Sequence, residues 1–199
     1  MLSRDQARPP RGPADPRRRE RVIAATEEVL LEHGLDGLTH RAVARKAEVP
    51  LGSTTYYFAT IDDLRYVALQ RVVRRYIAWM HQWAESLGDI GPEGLADALA
   101  DLIVMAHAEY RQQVVVDFEL TVAAMRHPEL RELATVYSTA TAAMLARRTT
   151  AARAMALAAA MDGISMLGLV SPEPLRRDDI GAAFRAILVP GSAAAREAE

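Results

Sequence analysis

A chain of 199 residues, half of them hydrophobic and a quarter charged, is long enough to bury a sizeable core in one or two domains. It contains no cysteine, which excludes disulfides, thiol catalysis and cysteine-ligated zinc. A net charge of only −2 does not by itself point to a polyanion partner, so the distribution of charge carries more information than its sum.

Residues 1–21 hold seven arginines against three acidic residues, a local charge of +4, whereas from residue 61 onward 14 basic residues face 18 acidic ones. Positive charge thus gathers at the front of the chain. No apolar run follows these arginines, so the segment does not read as a secretory signal and a cytoplasmic location is expected. Pro9, Pro10, Pro13 and Pro16 favour a disordered basic arm over residues 1–15. Such an arm is either a solvated tail or a segment that follows the phosphate backbone and minor groove.

The first helix is expected from about Pro16 to His33, with Val22, Thr26, Val29, Leu30 and His33 on one side and Gly34 as its stop. Thr39 can cap a second, short helix, in which Val43, Ala44 and Ala47 form one buried stripe. Pro50 and Gly52 break that pattern, and a third helix would present Ser53, Thr54, Thr55, Tyr56 and Tyr57 outward with Phe58 as its hydrophobic anchor. Two short helices across a tight turn make a helix-turn-helix.

A long fourth helix begins after Thr60, its cap, with Leu64, Ala68, Val72, Tyr76, Met80 and Trp83 recurring at near-helical spacing until SLGDIGP breaks it. Pro92 suits the first turn of a fifth helix that buries Leu95, Leu99, Leu102, Ile103 and Ala106. The run Val114 to Val116 favours a strand by propensity alone, but Val115, Phe118, Val122 and Met125 keep helical spacing and no second strand is present to pair with. Pro128 opens the next helix, with Leu130, Leu133, Tyr137, Ala140, Met144 and Arg148 on one face. Thr149 or Thr150 restarts the chain into an alanine- and methionine-rich helix to about Val170, and a last helix spans Asp178 to Val189.

The stretch from about Arg19 to Leu64 resembles the tetracycline-repressor (TetR) family of transcriptional regulators. The resemblance rests on Gly34, Leu38, Thr39, the Val43-Ala44 pair, Ala47, Val49, Gly52, the Tyr56-Tyr57-Phe58 cluster and Asp62-Asp63-Leu64. Three positions depart: Glu48 stands at a turn glycine, Leu51 at a polar or basic residue, and Ile61 at a phosphate-binding lysine. The fold so implied is all-α, with a helix-turn-helix DNA-binding domain over residues 16–60. A helical effector-binding and dimerisation domain covers 61–190, and a flexible tail 191–199.

Carried over by position, the resemblance implies that Thr39, Ser53, Tyr56 and Tyr57 contact phosphate, with Tyr57 alternatively packing beside Phe58. Gly52, Thr54 and Thr55 would lie nearest the bases. Arg41 either reads guanine through O6 and N7 or pairs with phosphate. The family also implies a cavity among helices 4 to 8, for which Trp79, Trp83, Met105, Tyr110, Phe118, Tyr137 and Met161 are aromatic and thioether candidates and His107, Asp117 and Glu119 polar ones. The aromatic and thioether candidates read first as plain core, because such stripes occur in any helical bundle.

The alanine-rich helix reads either as a membrane span or as a helix-helix interface. Asp162, Gly163 and Gly168 interrupt it, and alanine gives little lipid transfer energy, so no membrane partner is expected. Its small side chains suit a helix-helix interface, and the resemblance implies that this helix and the last one form a four-helix bundle with a second copy of the chain, a homodimer. A dimer also matches two half-sites about 34–36 Å apart. No HExxH, phosphate loop or nucleophile elbow is present and the five histidines are scattered, so neither catalysis, a metal nor a cofactor is expected. The expected partners are an operator in double-stranded DNA, a second copy of the chain and a small-molecule effector of unread identity. The alternative is a DNA-binding dimer with no effector, architectural or controlled by a partner.

Overall fold

The computed structural model describes residues 16–189 and is all-α, with no strand among them. In chain order the helices are α1 (Pro16–His33), α2 (His40–Lys46), α3 (Leu51–Tyr57), α4 (Ile61–Ser86), α5 (Pro92–Glu109) and α6 (Arg111–Arg126). A 3-10 turn (Pro128–Leu130) then leads into α7 (Arg131–Leu145), α8 (Ala151–Val170) and α9 (Arg177–Leu188). The basic arm expected over 1–15 and the tail over 191–199 lie outside the described residues.

Local chemistry accounts for the helix ends. The Thr39 hydroxyl accepts the Ala42 amide at the start of α2, and Thr150 caps α8. Thr60 and Asp63 form a reciprocal capping box, each side chain accepting the other's backbone N–H at 2.9 and 3.0 Å. At the end of α1, Gly34 sits at φ 66°, and a Cβ there would come within 2.6 Å of the Glu119 carboxylate. That carboxylate accepts the Leu35 N–H at 2.8 Å, so a side chain from α6 closes the C-terminal end of α1.

Three apolar clusters hold the bundle. In the first, Val22, Ile23 and Val29 of α1 meet Val43 of α2, Phe58, and Leu64 of α4. A second joins Leu30 of α1 to Leu69, Val72 and Val73 of α4 and to Val116 and Leu120 of α6. The third joins Leu99 and Ile103 of α5, Leu145 of α7, Leu157 of α8 and Phe184 of α9.

Two expected faces are rotated. His33 is exposed, because the last turn of α1 turns its apolar side through Leu30. In α6 the buried positions are Val116, Asp117, Leu120 and Ala124, while Val122 and Met125 are 50% and 71% exposed. A buried carboxylate on the inner face hid the true stripe from a hydrophobicity pattern.

Candidate nucleic-acid interface and effector cavity

The helix-turn-helix is braced by side chains as well as by its apolar core. Thr54 Oγ1 donates to the Leu51 carbonyl at 2.8 Å and accepts from His40 Nδ1 at 3.2 Å, which ties α3 to the first residue of α2 and assigns the ring proton to Nδ1. Thr54 is fully buried. Its expected place nearest the bases is therefore corrected: its hydroxyl and methyl are spent inside the unit. Lys46 leans back to Glu28 and Glu32 of α1 at 3.1 and 2.6 Å, and these contacts raise its pKa, the Glu32 hydrogen bond first.

The outward side carries Thr39, Arg41, Gly52, Thr55 and Tyr56, all exposed, with Ser53 and Tyr57 half-buried. While the Thr39 hydroxyl oxygen accepts from Ala42, its own proton remains to be donated. Tyr56 and Tyr57 meet edge to face with ring centroids 5.0 Å apart, and Tyr57 also packs on the first cluster. The Arg19 guanidinium lies 5.2 Å over the Phe58 ring, setting the front of α1 beside this surface. Ile61, half-buried, packs against the same cluster.

Glu48, in the turn between α2 and α3, adopts φ 53°, a left-handed conformation that favours glycine. The replacement Glu48→Gly is expected to stabilise the protein by about 0.5–1 kcal/mol, since the relief of steric cost exceeds the added chain entropy. Chemical denaturation checks this, and an unchanged or lowered midpoint contradicts it.

Behind this unit, α4 to α8 enclose a cavity of about 640 Å³, within the size range of small-molecule sites. Of the residues expected there, Trp79, Tyr110, Phe118, Tyr137 and Met161 line it. Trp83 and Met105 do not: both pack against the apolar cluster built around Leu99, Leu157 and Phe184. His107 also points elsewhere. It lies against Gly168 near Leu175, its Nε2 buried without a hydrogen-bond partner, and burial followed by the Arg111 charge lowers its pKa.

The polar lining was only partly anticipated. Asp117 is buried, accepts from Gln113 at 2.8 Å, and is pushed up to about 6, mainly by desolvation; the Gln113 and Tyr137 hydrogen bonds oppose the shift and the Asp162 charge adds to it. Asp162 is exposed as a residue, yet the cavity walls desolvate its carboxyl enough to raise its pKa. The Tyr76 and Tyr137 rings meet at a tilt of 43° with centroids 4.6 Å apart, and the Tyr76 hydroxyl meets that of Thr141 at 2.8 Å. An isolated aspartate inside an apolar helix was the one signal that could have assigned Asp162 to the lining. Among the described residues no group of acidic and histidine side chains forms a metal site.

Arg75 belongs both to this wall and to the junction with α1. It faces Glu27 Oε1 as an ion pair without an aligned hydrogen bond, and Arg71 approaches Glu27 Oε2 at 3.3 Å. Glu27 is 4% exposed, so the pair is a buried charge on one side and a solvated one on the other.

Comparison with known proteins matches residues 22–65 to the family described as bacterial regulatory proteins, tetR family, and residues 90–190 to the tetracyclin repressor-like C-terminal domain. The multidrug binding protein EbrR, solved with ethidium, is 36% identical and superposes with a TM-score of 0.74, the match covering 87% of this chain and 99% of that one. A transcriptional regulator from Streptomyces coelicolor A3(2) is 30% identical at a TM-score of 0.74, over 87% and 99% of the two chains. The nicotine-responsive transcriptional repressor HdnoR of Paenarthrobacter nicotinovorans is 25% identical over 175 residues, 82% of this chain and 89% of that protein.

Proposed function

The chain belongs to the TetR family of transcriptional regulators, and from that premise we propose that it is a cytoplasmic repressor which occupies a palindromic operator as a homodimer and leaves it when a small molecule enters the cavity. The observation that carries this reading is α4. Its first turn places Leu64 in the core of the DNA-reading unit, and the same unbroken helix supplies Val72, Tyr76 and Trp79 to the cavity wall. A ligand that prefers one tilt of α4 thereby selects one position of the reading head.

Two further contacts join the cavity wall to α1: Arg75 to Glu27 from α4, and Glu119 to the Leu35 N–H from α6. In this division residues 16–60 read DNA and 61–190 bind effector and partner subunit. For the dimer, α8 supplies a face that one copy leaves open, with Met155, Met166, Leu167 and Val170 each at least half exposed and Gly163 open to close approach. Its opposite side is buried through Ala154, Leu157, Ala158 and Met161. The helix is long and apolar enough to cross a bilayer, but a second copy covering this face serves the same apolar surface.

Selection of bound sequences from random DNA tests the reading, with a two-fold symmetric site expected and no enriched site counting against it. On that site Arg41→Ala is expected to relax preference at one base position by about 1–3 kcal/mol if Arg41 reads guanine. Equal weakening on every sequence would reassign it to phosphate.

A further inference from the structure

The cavity's charge is lopsided. Its lining contains two carboxylates, Asp117 from α6 and Asp162 from α8, and a single cationic side chain, Arg75, which is already paired with Glu27. An anionic ligand would meet both acids with no unpaired cation to receive it. A neutral ligand would leave Asp117, a buried group with one amide donor and one hydroxyl, without compensation for its charge. The remaining wall is mostly apolar and includes the aromatic side chains Tyr76, Trp79, Phe118 and Tyr137, whose π-systems attract positive charge.

Resting on the effector-release reading above, we propose that the cavity takes an aromatic organic monocation, whose charge lies between Asp117 and Asp162 and whose rings lie among the aromatic side chains. One positive charge answers the buried carboxylate, and the second, more open acid at the α8 wall widens the field toward the cavity mouth. A delocalised cation suits this site better than a compact ammonium, because it is weakly hydrated and loses less on entering an apolar space.

The recognition is coupled to a proton. The groups facing Asp117 are Gln113 on its own helix, Tyr137 from α7 and Asp162 from α8; Tyr76 from α4 also senses its charge, and Arg75 from α4 lines the same cavity. With Asp117 held near 6, the empty site is largely protonated at pH 5 and ionised at pH 8, so cation affinity rises as pH rises through that interval.

Fluorescence titration at pH 8 with proflavin, an aromatic monocation, and with acridine, its uncharged analogue at that pH, tests the class directly. Wild-type protein is expected to prefer proflavin by about tenfold or more, and Asp117→Asn to bring the ratio of the two affinities close to one. Proflavin affinity should also fall as pH is lowered from 8 to 5. Equal binding of the two compounds by wild-type protein, or a ratio unchanged in Asp117→Asn, overturns the proposal. Circular dichroism establishes that the variant is folded; should it not be, Asp162→Asn, at an open position, must lower the ratio by itself, and an unchanged ratio there is equally fatal. Operator release is read separately, against an unrelated protein on its own site to remove dye intercalation. A protein that prefers proflavin yet keeps its operator when saturated retains the cation site and refutes release, whereas release by acridine alone keeps the repressor reading and overturns the cation class.

Discussion

Removing both guanidinium groups that meet Glu27, by Arg71→Ala together with Arg75→Ala, is expected to destabilise the protein by about 2–4 kcal/mol. Glu27 is 4% exposed on the inner side of α1, and these two arginines of α4 form ion pairs with its carboxylate. Without them a buried negative charge is left uncompensated, which is costly however modest the intact pair itself is worth. The arginines are 43% and 56% exposed, so water can approach from their side, and the loss falls short of that for a fully enclosed pair. Adding Glu27→Gln to the double variant should recover more than half of the deficit, because an amide carries no charge to strand. Urea unfolding of the three proteins measures this, and a double variant within about 0.5 kcal/mol of wild type would contradict the assignment. Operator binding should weaken alongside stability, since α1 supports the reading helices through Val22, Ile23 and Val29.

The second large effect has the opposite sign. Asp117→Asn is expected to stabilise the ligand-free protein at pH 7.5 by about 1–3 kcal/mol, because the native carboxylate is ionised there in a place that disfavours charge. Its folded pKa, near 6, exceeds the ordinary 3.8, so the folded chain holds this proton more tightly than the unfolded chain does. The favourable contribution of the protonated form is complete below about 4 and is lost as pH rises through about 6. The advantage of the asparagine variant over wild type should therefore grow between pH 4.5 and 7.5 and level off above. Melting curves of both proteins across that range decide the matter, and a difference that does not vary with pH would be decisive against a buried, ionising Asp117. A residue that lowers stability while empty is a reasonable mark of one kept for a ligand.

Much of the architecture was legible because helix signals are local. Pro16, Thr39, Thr60, Pro92 and Thr150 each mark a helix start that the structure reproduces, and Gly34 marks a stop by its left-handed φ. Side-chain direction was harder to read. Thr54 looks, in sequence, like Ser53 and Thr55, and only the three-dimensional approach of His40 shows that the middle hydroxyl turns inward. The α6 stripe was misread because Asp117 occupies a core-facing position that a polarity pattern assigns to solvent. The same failure hid Arg75 and Asp162: a long-range partner on α1, and a cavity formed by five helices, leave no periodic trace along the chain. Trp83 and Met105 were drawn toward the cavity by their chemistry alone, although both pack against the apolar cluster around Leu99, Leu157 and Phe184.

The shared cluster of Leu30 with Leu69, Val72, Val116 and Leu120 bears on protein engineering. A front end cut away near residue 60 would take Leu30 with it and bare the apolar seat that α4 and α6 provide, while Leu35 would lose the Glu119 carboxylate. Regulators assembled by grafting one reading head onto a foreign sensor body must therefore match the graft at this seam, and the amino acids on its two sides are constrained to change together.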